Sequence, residues 1–307
     1  MRNSSDQQLL ATLEPIAADL LNRHLSVQKE WFPHDYVPYS LGRDFDKEPW
    51  TPDHSRLSGV AQIAFEVNLL TEDNLPSYHR EIYDMFGKAD SPWMEWVHRW
   101  TAEEGRHSIV LRDYLVVTRA VDPVALERGR MQQMSTGYDK DGKSLLRGMA
   151  YVAFQELATR ISHRNTGRYS EDPVADRIMA RISADENLHM VFYRDILNAA
   201  LEVEPSRCIE AIAAEVAGFE MPGAGMTDFN TKAVQIAKAG IYDLRAHHDD
   251  VIWPLLRHWR FFEREGLDEA AEQARTQTSE FLTALDGMAK RYDEKRARRS
   301  ARREQAA

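Results

Sequence analysis

Two short stretches decide the architecture: Trp100-Thr101-Ala102-Glu103-Glu104-Gly105-Arg106-His107 and Ala184-Asp185-Glu186-Asn187-Leu188-His189. Each carries Glu-x-x-His inside a long helical pattern. Three residues along a helix turn the chain by about 300° and lift it about 4.5 Å, so both side chains leave one face and can meet one metal ion. A single such motif carries little weight. With 25 Glu and 11 His in 307 residues, chance supplies about one. A third copy, Glu95-Trp96-Val97-His98, precedes Glu104 by nine residues, half a turn out of phase. It is expected on the outer face of the same helix.

An internal echo lifts the other two above chance. Glu72 precedes Glu104 by 32 residues and Glu156 precedes Glu186 by 30. Each half therefore reads as Glu, a helix-length gap with a turn, then Glu-x-x-His, which fits an antiparallel helix pair repeated twice. A dinuclear site inside a helical bundle takes two Glu-x-x-His helices and one Glu from each of two others. The expected ligands are Glu72, Glu104, His107, Glu156, Glu186 and His189. Oxygen and nitrogen donors with open positions suit iron, with manganese as a substitute, better than structural zinc.

Outward from these motifs nearly everything reads as helix. Apolar residues recur at three- and four-residue spacing and no stretch sustains strand alternation. Turn chemistry gathers at Phe32-Pro33-His34-Asp35, 87–92, Asp122-Pro123, 137–142, Glu171-Asp172-Pro173, Glu204-Pro205 and 221–225. The intervals predict helices at 5–29, 56–70, 72–86, 92–120, 123–135, 143–166, 173–201, 205–219, 228–262 and 267–298. Pro15 is expected to start the main helix of the first segment, Pro76 falls in the first turns of the third, and Pro254 predicts a kink. No linker separates two domains, so residues 1–289 are expected to form a single domain and 290–307 a basic helix end or tail.

Bulk properties exclude several classes. Hydrophobic residues are 43% and charged residues 29% of the chain, an ordinary globular composition. The lone cysteine, Cys208, forms neither an internal disulfide nor a thiolate metal site. No apolar run approaches the length of a membrane span or a signal peptide, which points to a cytoplasmic protein. A net charge of −10 disfavours nucleic acid. The exception is the C-terminus, where Lys290, Arg291, Lys295, Arg296, Arg298, Arg299, Arg302 and Arg303 face three acids.

At these motifs the chain resembles the soluble acyl-carrier-protein desaturases of plant plastids and actinobacteria. That family pairs Glu-Glu-x-Arg-His with Asp-Glu-x-x-His. Leu70-Thr71-Glu72-Asp73-Asn74-Leu75-Pro76-Ser77-Tyr78, Phe154-Gln155-Glu156-Leu157-Ala158-Thr159-Arg160-Ile161-Ser162-His163 and Trp31-Phe32-Pro33-His34-Asp35-Tyr36 are also similar to the family's runs. The resemblance spans roughly residues 25 to 260. It implies an all-α, ferritin-like four-helix bundle with additional helices and a di-iron site inside it. It further implies dioxygen-dependent insertion of a cis double bond into an acyl chain on acyl carrier protein. A ferredoxin-type electron donor and a homodimer come with it. By matching position, Thr159 implies a hydroxyl beside the oxygen site, and Asp185 and Trp31 a link from His107 to the surface.

Leu188 stands where the plant enzymes carry Arg, and Gly105 replaces a better helix former. His163 and His79 lie seven residues after Glu156 and Glu72 and are candidates for contact with the ligands. A basic patch for acidic partners is sought in the C-terminal run or in Arg56 and Arg80. The competing readings are another di-iron oxidase (a hydroxylase, an N-oxygenase or a radical-generating reductase subunit), a metal-storing bundle, and a desaturase homologue with weak or lost activity. Leu111 sits where the reductase subunit needs a tyrosine. About ten helices are too many for a storage subunit.

Overall fold

The structure, a computed structural model, describes residues 4–87, 90–137, 142–223 and 225–304, the last six without their side chains. It is helical, with no strand among the described residues. Parts of the predicted breaks at 87–92, 137–142 and 221–225, the side chains of Arg299, Arg302 and Arg303, and residues 305–307 lie outside the described set.

Four helical segments form the bundle that carries the motifs: α2 (Gly59–Glu72), α4 (Pro92–Val117), α6 (Leu145–Tyr169) and α7 (Pro173–Val203). Their ends follow cap chemistry. Ser91 accepts from Met94 N ahead of Pro92, and Asp172 accepts from Val174 N and Ala175 N ahead of Pro173. The α6–α7 pair is the most intimate in the molecule. Its tight turn holds Glu171 at φ 55°. Gly167 lets the helices meet there, because a Cβ on it would lie 2.7 Å from Met179 Cβ.

The other helices clad this bundle. α1 (Ser4–Val27) packs on α4 and α7, α8 (Pro205–Gly218) on α6 and α7, α9 (Phe229–Lys238) on α2, and α12 (Glu269–Glu304) on α8. α3 (Leu75–Phe86) lies against α4, and α5 (Pro123–Thr136) touches α2. No helix is long and apolar enough to cross a membrane among the described residues.

Three expectations are corrected. α1 does not begin at Pro15 but runs through it from Ser4. Pro15 is on the exposed side, while Leu9, Leu13, Ala17, Leu20 and Leu21 bury the opposite stripe and hold the helix across the lost hydrogen bond. The single helix expected over 228–262 is several pieces: α9, then α10 (Leu244–Ala246), a π-helical turn (His247–Ile252) and α11 (Trp253–His258). Gly240 at φ 74° ends α9, and Asp243 caps the restart. The kink expected at Pro254 takes the form of the π turn directly upstream, which moves carbonyls out of the proline ring's way. Glu72, expected to open the third helix, instead closes α2. Pro76 is the cause, because its ring would strike the carbonyl four residues back, that of Glu72 itself.

α12 continues into the basic terminus. There Arg296 pairs with Asp243 at 2.7 Å and Lys290 with Asp286 at 2.7 Å.

Candidate metal centre

The six expected ligands converge, all less than one-tenth exposed, and they form two four-membered groups. Glu72, Glu104, His107 and Glu186 make one; Glu104, Glu156, Glu186 and His189 make the other. Within each, the donor atoms lie within 4.8 Å of one another. Glu104 and Glu186 belong to both, so they stand between two positions.

Both imidazoles present Nδ1 to the carboxylates. His107 Nδ1 is 3.3 Å from Glu104 Oε2 and from Glu186 Oε1, and 3.6 Å from Glu72 Oε2. His189 Nδ1 is 2.7 Å from Glu104 Oε1 and 3.6 Å from Glu156 Oε2. These approaches lack hydrogen-bond geometry. Both Nδ1 atoms, Glu104 Oε1, Glu156 Oε2 and Glu186 Oε1 are buried without a hydrogen-bond partner. Buried polar atoms are rarely left so. Donors packed together, unpaired and aimed at common points, fit a pair of metal ions.

Electrostatics agree. Burial and then the neighbouring Glu186 push the Glu104 and Glu156 carboxyls above their ordinary range, Glu156 strongly. Burial also opposes ionisation of Glu72 and Glu186, but nearby groups outweigh it and lower both: His107 and His163 for Glu72, His107 and Glu156 for Glu186. Burial lowers His107 and His189, yet the surrounding carboxylates drive both well above normal. Four carboxylates this close cannot all ionise comfortably without added positive charge.

A further layer holds the histidines. Asp185 Oδ2 lies 3.5 Å from His107 Nε2, accepts from Trp31 Nε1 at 2.7 Å and meets Arg106 at 3.5 Å. Its other oxygen pairs with Arg181. Burial opposes its ionisation, but His107 and Arg181 hold the carboxyl down at about 2. On the other side Glu103 Oε2 lies 3.0 Å from His189 Nε2 and 2.9 Å from His24 Nε2, and Arg99 donates to Oε1 at 2.5 Å. Each acid thus serves the histidine of the opposite motif.

Glu103, His24 and Arg99 escaped the motif reading. Their signal is a nine-residue echo, Arg99-Trp-Thr-Ala-Glu-Glu-Gly-Arg-His107 against Arg181-Ile-Ser-Ala-Asp-Glu-Asn-Leu-His189. In both, an arginine precedes the acid by one helical turn. His24 left no local signal, because it comes from α1.

Thr159 reaches the centre. Its Oγ1 lies 3.0 Å from Glu186 Oε2, as well as 3.1 Å from the carbonyls of Gln155 and Glu156. His163 contacts Glu72 Oε1 at 2.9 Å. His79 does not follow suit, because the helix is interrupted between Glu72 and Leu75, and it meets Thr101 Oγ1 at 2.7 Å instead. Glu95 and His98 are exposed, as their phase required.

A cavity of about 550 Å³ opens beside the first group, between α3 and the start of α6. Glu72, Glu104 and Trp100 lie on its wall, and Ile82, Met85 and Val152 line it with apolar surface. Trp100 also donates from Nε1 to Glu156 Oε1 at 3.0 Å. Arg80 is exposed at the cavity, and Arg56 is exposed elsewhere.

The fatty acid desaturase family model matches residues 5–307. A Mycobacterium tuberculosis protein named acyl-(acyl-carrier-protein) desaturase DesA1 is 53% identical over 272 residues, covering 85% of this chain and 80% of its own. An Arabidopsis thaliana stearoyl-(acyl-carrier-protein) 9-desaturase is 30% identical over 315 residues, 96% of this chain and 75% of its own. The X-ray structure of Mycobacterium tuberculosis DesA2 superposes with a TM-score of 0.70 at 30% identity, covering 87% of this chain and 99% of that one. The chain belongs to the fatty acid desaturase family, and its fold is the ferritin-like one.

Proposed function

We propose that this family member inserts a cis double bond into a fatty acyl chain borne on acyl carrier protein, with two iron ions held by Glu72, Glu104, His107, Glu156, Glu186 and His189. The observation that carries it is the pair of four-ligand groups sharing Glu104 and Glu186, set against a cavity with one apolar wall. Manganese suits the same donors. Two iron ions bound there would supply a dioxygen-dependent oxidation in which two adjacent methylenes lose one hydrogen each, an external donor gives two electrons, solvent gives two protons, and dioxygen leaves as two waters.

The chain's own residues do the rest. Ile82, Met85 and Val152 give the acyl chain an apolar wall and exclude water. Glu72 and Glu104 face that cavity, which supports an acyl chain lying with its reacting methylenes beside the first ligand group. Thr159 holds a hydroxyl hydrogen within reach of Glu186 Oε2, a position from which to donate to the reacting oxygen. Asp185 fixes the ring of His107, and Trp31 extends that contact towards the surface.

The family resemblance supports a ferredoxin-type electron donor and a homodimer, and a cytoplasmic location is proposed from the sequence reading alone. We assign residues 1–289 to a single catalytic domain and 290–307 to a basic helix end or tail.

The test supplies iron-loaded protein with stearoyl-acyl carrier protein, a ferredoxin reducing system and air, and reads the fatty acids by mass spectrometry. A monounsaturated product that disappears in Glu104→Ala is expected. A hydroxylated product, or none from protein holding two irons, overturns the assignment.

A further inference from the structure

We propose that Glu103 and His24 are positioning residues for His189, so that one of the two metal positions depends on α1, a helix that supplies no ligand. The inference rests on the di-metal reading of the six ligands and extends it.

The chain of contacts begins at the ring. Glu103 is 2% exposed; its Oε1 accepts from Arg99, and its Oε2 faces both rings, 3.0 Å from His189 Nε2 and 2.9 Å from His24 Nε2. In the neutral ring that a metal needs, an acceptor in that place takes the hydrogen from His189 Nε2. That choice leaves the lone pair on Nδ1, the atom 2.7 Å from Glu104 and facing Glu156. Glu103 thereby sets both the tautomer and the tilt of a ligand.

Glu103 needs holding in turn. The two motifs differ at the residue before the histidine. Arg106 in the first reaches Asp185 and covers Trp31, its guanidinium 4.9 Å from the ring centre. Leu188 holds the matching place in the second and offers no charge to Glu103. His24 fills the gap from α1, with Nε2 2.9 Å from the same oxygen that His189 uses. Its ring lies 5.9 Å from that of His189 at 24°, and stands edge-on to Trp96 at 5.1 Å and 87°. His24 is 4% exposed, so water does not substitute for it. Without it, Glu103 is held beside His189 by Arg99, whose side chain is 34% exposed. Asp185 has Trp31, Arg106 and Arg181. The two positions should therefore respond unequally.

The experiment titrates metal-free protein with cobalt(II) under nitrogen, following visible absorption and chelator competition, with thermal melts to verify folding. The wild type should bind two equivalents. His24→Phe and Glu103→Gln should bind the first as the wild type does and the second about 10- to 100-fold more weakly. Their spectra should approach that of a single-site form. His24→Gln, which restores an N–H donor, should recover part of the loss. Folded variants that bind both ions as the wild type does, or that weaken both equally, overturn the proposal. If His24→Phe does not fold, Glu103→Gln, nearly isosteric, decides alone. A wild type unable to bind two ions would instead bring down the di-metal reading itself.

Discussion

α2 with α3 and α6 occupy matching places in the two halves of the bundle, yet one is interrupted and the other is continuous. Both deliver a glutamate ahead of a Glu-x-x-His helix. In α6, Glu156 is in mid-helix, fully buried, with Arg160 one turn on to continue the ladder. In the first half, Pro76 stands one turn after Glu72, and the helix stops at the ligand. α3 restarts at Leu75, and its Tyr78, Ile82 and Met85 line the cavity on which Glu72 opens. The continuous half holds its glutamate against Trp100. The broken half holds its own with His163, beside the cavity. One proline thus separates a ligand enclosed in mid-helix from one at a helix end that also lines the cavity.

The largest effect tests what the halves share. Glu104→Ala or Glu186→Ala removes a donor from both groups and should abolish retention of two metals and cut turnover more than about 100-fold, beyond the cost of losing a supporting group. Metal analysis showing two tightly held ions in either variant would break the shared-ligand arrangement.

The next tests the interruption itself. Pro76→Ala lets α2 run on towards α3 and should reshape the cavity while leaving the ligands in place. Metal content should stay at the wild-type value while kcat/KM falls by about 10- to 100-fold, the scale set by a misplaced substrate. Unchanged kinetics would show that the break does not shape the substrate site.

Thr159→Val keeps volume and deletes the hydroxyl next to Glu186. A loss of about tenfold in product formed per dioxygen consumed is expected, worth roughly one charge-assisted hydrogen bond, with both metals retained. An unaltered ratio would return Thr159 to its role as a helix back-bond.

The smallest concerns Gly105, which pairs with Asn187 between the two motifs. A Cβ there meets only Leu75 Cδ2, at 3.9 Å, so Gly105→Ala should stabilise the fold by about 0.5–1 kcal/mol. A fall in melting temperature would reveal packing that this spacing does not show.

The legible part of the molecule was the part written in local spacing. Glu104, His107, Glu186 and His189 announce themselves by helical period, and the caps at Ser91 and Asp172 follow their prolines. Glu72 could be placed by its distance from Glu104 but not on its helix, because a proline near a helix start and a proline just after a helix end look alike. His24 was invisible, being 79 residues from Glu103, with no motif of its own. The segment 228–262 shows the limit from another side. Its apolar period persists across Gly240 and Asp243, but a positive φ and a cap break it.

The central claim is that the six ligands hold two metals at once. The direct measurement is iron content and optical absorption of the purified chain after anaerobic loading and exposure to air. Two irons per chain with a diferric absorption band are predicted. Folded protein that keeps fewer than two would contradict the account.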